Sequence, residues 1–160
     1  MTETRADMLI SAFWPMVKAG FAVSLPLAIA SFVIGMIIAV AVALVRITPS
    51  GGIFQKCLLK LVEFYISVIR GTPLLVQLVI VFYGLPLISD HTIMIPIYWT
   101  AVLCVGLYHG AYIAEVIRSG IQSIPSGQME AALSQGFTYI SAMRLIILPQ
   151  AFRIILPPLT

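Results

Sequence analysis

Residues 19–45 run for 27 positions without a charged side chain. A helix needs about 20 apolar residues to cross the hydrocarbon core of a bilayer, so this stretch can cross with tilt. Two further uncharged runs follow, at 71–89 and 92–114. Runs of this length read as helices that satisfy their own backbone in lipid. Of the 160 residues, 61% are apolar and 9% are charged, against about 25% charged in soluble domains. A soluble core of this size could not hide so much apolar surface. The expected fold class is all-α: a polytopic helical membrane protein forming one domain.

Polar residues punctuate the runs. Pro26 predicts a kink near one end of the first, Arg46 closes it, and Thr48-Pro49-Ser50-Gly51-Gly52 reads as a turn. An approach helix with Lys56, Lys60 and Glu63 leads to Arg70; Glu63 and Arg70 are expected at the membrane edge. The expected spans are about 19–45, 66–89 and 92–114, with a short loop around Asp90 and His91. Glu115 and Arg118 close the third span and open a polar stretch at about 115–148. A fourth apolar segment begins near Ile146. Residues 146–160 contain Arg153, Pro157 and Pro158, which is short for a crossing, so a C-terminally truncated chain is expected. The loop from Arg46 to Arg70 holds four Lys or Arg, the region after Glu115 three, the N-terminal tail two and the 90–91 loop none. The positive-inside rule then places the N-terminus and the Asp90 loop outside. Glu3, Arg5 and Asp7 do not form the basic start of a signal peptide, so the first span is expected to be retained.

Several function classes are disfavoured. The formal charge is +3 with no basic stripe, which argues against nucleic acid. Cys57 and Cys104 lie at different depths and read as free thiols. His91 and His109 lack partners at metal-ligand spacing, so no metal site is expected. No Gly-x-Ser-x-Gly nucleophile motif occurs, and no Gly-x4-Gly-Lys-Ser/Thr loop that would cradle phosphate. The chain reads as a non-enzyme whose work would be powered by a partner.

Small residues recur every four positions at Ser31, Gly35, Ala39 and Ala43, and again at Gly106, Gly110 and Ala114. Such stripes let helices approach closely, within a subunit or between subunits. Thr72, Gln77 and Glu115 are polar groups beside apolar spans. They are candidates for a substrate pathway, with anchoring at the interface as the alternative. His109 reads as a hydrogen bond to a neighbouring helix. In the polar stretch, Ser126 is expected to cap a helix running to Leu133 or Gln135, Gly136 to take the left-handed position that ends it, and Thr138 to cap the next. Ile140, Met143 and Ile147 then share one face, and Pro149 stops or kinks that second helix. From the residues alone this element either lies on lipid or docks a soluble partner.

Glu130-Ala131-Ala132-x3-Gly136-x9-Ile146-x-Leu148-Pro149 resembles the loop motif of permease subunits of bacterial ABC importers. Arg70-Gly71-Thr72-Pro73-Leu74-Leu75-Val76-Gln77, Phe82-Tyr83-Gly84-Leu85-Pro86 and Gly110-Ala111-Tyr112-x-Ala114-Glu115-x-x-Arg118 are similar to the polar amino-acid branch of that family. The resemblance implies a type I ABC importer transmembrane domain in a bacterial inner membrane, with ATP used by a separate ATPase and no cofactor bound by this chain. It implies docking through Glu130, Ala131, Ala132 and Gly136 to a cytoplasmic ATPase dimer. It also implies a second permease subunit and an external solute-binding protein. Family members usually continue past Leu156-Pro157-Pro158. The alternative is a truncated, non-transporting scaffold that still docks the ATPase.

Overall fold

The computed structural model describes residues 5–47 and 52–159; most of the turn expected at Thr48–Gly52 lies outside them. Among the described residues the secondary structure is helical throughout: α1 (Arg5–Ala19), α2 (Leu25–Ile47), α3 (Ile53–Gly71), α4 (Leu74–Val79), α5 (Leu85–Ile88), α6 (Ile97–Gln122), α7 (Ser126–Ser134), α8 (Tyr139–Ala142) and α9 (Leu148–Leu159). Three helical stretches are long and apolar enough to cross a membrane, and a bent pair makes a fourth candidate.

One device recurs three times. Five-residue π turns at Gly20–Ser24, Ile80–Gly84 and Met143–Ile147 each run directly into a Leu-Pro pair: Leu25-Pro26, Leu85-Pro86 and Leu148-Pro149. In each, the leucine N–H donates to the carbonyl five residues back. Proline has no N–H to give, and its ring crowds the carbonyl four residues back. Widening the preceding turn absorbs that crowding and lets the helix continue. The helix that holds the run 19–45 extends beyond it, because α1, the π turn and α2 follow without a break from residue 5 to residue 47. Pro149 likewise does not stop its helix. Residues 139–159 are continuously helical, so the last span candidate is Tyr139–Pro157 rather than a 15-residue stub.

The uncharged run 71–89 is not one straight helix. Thr72 is extended (φ −122°, ψ 141°), as the residue before Pro73 prefers. There α3 meets the α4–α5 segment at a bend of 104°. The next helix starts at Ile97 rather than Thr92 and runs past Ala114 to Gln122. Between them Asp90 and His91 take positive φ (49° and 59°), turning the chain after α5.

The core is the seam between α2 and α6. Ser31 and Gly106, Ile38 and Gly110, then Arg46 and Glu115 meet in ascending order, so the two helices run parallel. A Cβ on Gly35 would lie 3.1 Å from the Gly106 carbonyl oxygen and from His109 Cβ. One on Gly106 would lie 2.9 Å from Ile34 Cγ2. The small-residue stripes therefore serve packing inside this subunit: Ala39, Ala43, Ala111 and Ala114 are buried there. Val62 and Ile66 of α3 complete the cluster. Tyr65 Oη donates to Leu107 O at 2.5 Å, tying α3 to α6. α9 crosses α6 where a Cβ on Gly120 would overlap Ile155.

Candidate functional site

Two polar features stand out from this apolar frame. The first lies at the bend after α3. Residues at a helix C-terminus leave carbonyls without intrahelical donors. Here Thr72 Oγ1 donates to Val68 O at 2.8 Å, and Gln77 Nε2 donates to Ile69 O at 2.9 Å. Gln77 Nε2 also reaches Thr72 O at 3.2 Å and Thr72 Oγ1 at 2.8 Å. The two polar candidates are thus brought together, bonded to each other and to the carbonyls at the bend.

Glu115 is linked to the same end of α3 through Arg70. Its side chain is 14% exposed and gathers three guanidinium groups. Arg46, from the last turn of α2, donates Nη1 to Oε1. Arg70, from the last turn of α3, places Nη1 3.2 Å from Oε2. Arg118, one turn along α6, donates Nε and Nη2 to Oε2 at 3.1 and 2.9 Å. Arg70 also sits 5.3 Å from the Tyr112 ring centroid, a cation–π contact on the same face of α6. One carboxylate therefore joins the ends of α2 and α3 to α6. Arg70, expected at the membrane edge, joins this cluster while remaining 42% exposed. Arg46 and Arg118 read in the sequence only as the closing charges of spans. Arg46 reaches Glu115 from 69 residues away, which no local pattern reports, whereas Arg118 pairs with it at the i, i+3 spacing of one helix. His109 bonds its own helix: Nδ1 donates to Val105 O at 2.9 Å.

An open cleft of about 530 Å³ faces this cluster, lined by Arg46, Leu59, Glu63, Ile66, Ser67, Arg70, Glu115, Arg118 and Gln122. Within the described residues no group of three or more His, Cys, Asp or Glu is placed to hold a metal ion.

The second feature is α7, a nine-residue helix between the end of α6 and α8. Pro125 takes its N-cap position and no side chain caps it, so Ser126 does not play the expected part. Its C-terminus follows the sequence reading closely. Gly136 has φ +88°. Phe137 N donates to Ala132 O and Gly136 N to Leu133 O, a Schellman closure. Thr138 Oγ1 then accepts from Ser141 N at 3.3 Å, capping α8. Ala132 faces inward at 2% exposure, while Glu130, Ala131 and Gly136 are exposed. Tyr139 Oη donates to Ile47 O at 3.3 Å, fastening the element to the end of α2 beside Arg46.

Comparison with known proteins places this geometry. The L-cystine transport system permease protein TcyB of Bacillus subtilis (strain 168) is 41% identical over 154 residues, which is 96% of this chain and 62% of that protein. The arginine transport system permease protein ArtQ of the same organism is 38% identical over 143 residues, 89% of this chain and 62% of the relative. The chain thus spans about three-fifths of the length of these curated relatives. The crystal structure of an amino acid ABC transporter with histidines superposes with a TM-score of 0.82 at 36% identity, covering 99% of this chain and 70% of that one. Residues 52–160 match the family described as the binding-protein-dependent transport system inner membrane component. With several apolar helices and that match over more than half its length, the chain belongs to this family of multi-pass inner-membrane transport components.

Proposed function

We propose that this chain is the permease subunit of an ATP-driven importer for a polar amino acid, supported by the names of its relatives. The observation that carries the reading is α7, which offers Glu130 and Ala131 outward while Ala132 packs inward. The small exposed alanine permits close approach of a partner surface, and Glu130 supplies charge for basic partner residues. The Schellman closure at Gly136 fixes the angle at which the chain leaves α7 for α8 and α9. The Lys and Arg distribution puts this element on the cytoplasmic side. There it would dock a separate ATPase dimer, since the sequence carries no phosphate-cradling loop of its own. Closure of the two ATPases would draw the docking elements of two permease subunits together. Through Tyr139 and α9 that movement reaches α2 and α6, and the spans rock between inward and outward openings. An external solute-binding protein would deliver the solute.

Glu130→Arg tests the docking surface. The variant inserts into the membrane at the wild-type level, because Glu130 is exposed and makes no ion pair among the described residues. ATPase co-purified with the full-length permease is expected to fall at least tenfold. Wild-type recovery of the ATPase would remove Glu130 from the interface.

A further inference from the structure

The three arginines around Glu115 are not held equally. Arg46 is 16% exposed, whereas Arg70 and Arg118 are 42% and 40% exposed and line the open cleft. The cleft wall carries three guanidiniums against two carboxylates, Glu115 and Glu63, a surplus of one positive charge. Each guanidinium has five N–H donors in a planar fork. Arg46 and Arg70 each give only Nη1 to Glu115, and of the two Arg70, held at 3.2 Å, is the exposed one. It also stands in the last turn of α3, two residues before the bend at Thr72. Broken helices of this kind form solute sites in other helical transporters.

We infer that the cleft is a carboxylate-exchange site, in which the carboxylate of a bound amino acid competes with Glu115 for Arg70. A solute carboxylate that takes the Arg70 fork in bidentate fashion through Nη1 uses the donor that Glu115 now holds. Solute binding would therefore loosen Arg70 from Glu115, while Arg46 and Arg118 keep Glu115 in place. Arg70 would carry the signal to the bend, where Gln77 and Thr72 hold the carbonyls of the same helical turn. Glu115 acts as the internal competitor, a positioning residue that need not touch the solute. The inference rests on the importer reading above and names the group by which that site would hold its solute.

The sign of one variant separates this exchange from a purely structural ion pair. Radiolabelled L-arginine, L-glutamine and L-cystine are bound to the purified full-length permease–ATPase complex in the absence of solute-binding protein. For whichever of them binds, Arg70→Gln is expected to raise Kd at least tenfold and Arg70→Lys to recover part of the loss. Glu115→Gln is expected to lower Kd at least threefold while import turnover falls, because the competitor has gone and the link to Arg70 with it. The matching α-carboxamide is expected to gain nothing from Glu115→Gln. Wild-type affinity in Arg70→Gln overturns the exchange, as does weaker binding in a folded Glu115→Gln. Arg70→Gln keeps Glu115 paired to Arg46 and Arg118, so the test stands even if Glu115→Gln fails to fold. Failure of all three amino acids to bind the wild-type complex overturns both the exchange and the amino-acid reading, whereas binding that ignores Arg70 overturns the exchange alone.

Discussion

Glu115→Ala is expected to destabilise the folded chain by about 3 kcal/mol, the low end of the range for removing one partner from a buried ion pair. The low end applies because Arg70 and Arg118 are about 40% exposed and regain water when released. Arg46 is 16% exposed and cannot do so to the same extent. Without the carboxylate, three guanidiniums from three helices face one another, and the ends of α2 and α3 lose their common tie to α6. The Tm of the purified full-length protein in detergent should fall by roughly 10 °C. Glu63→Ala, at an exposed position on the same cleft, should stay within about 0.5 kcal/mol of wild type. Equal Tm values for the two variants would mean that Glu115 is not the tie between these helices.

Gly110→Leu should have a comparable effect by a different route. Its Cβ would lie 2.9 Å from Ile38 Cγ2, 3.0 Å from Ile38 Cβ and 3.1 Å from Tyr65 Oη, where α2, α3 and α6 meet. Ile38 cannot swing away, because a β-branched side chain in a helix has one strongly preferred rotamer and its Cβ moves only with the backbone. Overpacking of this kind costs about 1–3 kcal/mol, and a leucine extends well beyond the Cβ that already collides. The seam must open, and the Tyr65 bond to Leu107 opens with it. A drop in Tm of several degrees, with none in Gly20→Ala, where nothing lies within 4 Å, is the expected pair of results. An unchanged Tm in Gly110→Leu would contradict the close approach of α2 and α6.

What the sequence made legible was local. Gly136 in the left-handed region and Thr138 capping the next helix both follow from rules that act within a few residues, and both hold. The stripes at Ser31–Ala43 and Gly106–Ala114 pointed to close packing, and Gly35, Gly106 and Gly110 lie at the seam of α2 and α6. Prolines were read less well. Pro26 suggests a kink and Pro149 a stop or a kink, and a π turn ahead of each Leu-Pro pair carries the helix on, which rules out the stop at Pro149. The reverse holds at Thr72-Pro73, where an unbroken run of apolar residues hides a bend of 104°. Hydropathy counts charges and does not register backbone dihedrals. The Glu115 cluster was illegible for a third reason. Arg46, Arg70 and Glu115 meet only because α2, α3 and α6 pack as they do, and a single sequence holds no trace of such long-range convergence. Thr72, Gln77 and Glu115 were singled out as polar groups in apolar surroundings. The structure brings all three to the region of one bend, two of them bonded to each other and the third bonded to Arg70.

Force transfer requires that α7 face the compartment that holds the ATPase. Gln135, exposed at the end of α7, can be replaced by cysteine in full-length protein carrying Cys57→Ser and Cys104→Ala, and probed with a membrane-impermeant maleimide. Labelling in inside-out vesicles, protection when the ATPase is bound, and no labelling of intact spheroplasts is the predicted result. Labelling of Gln135→Cys from the outer face of spheroplasts would contradict it, because an element on that side cannot receive force from a cytoplasmic ATPase.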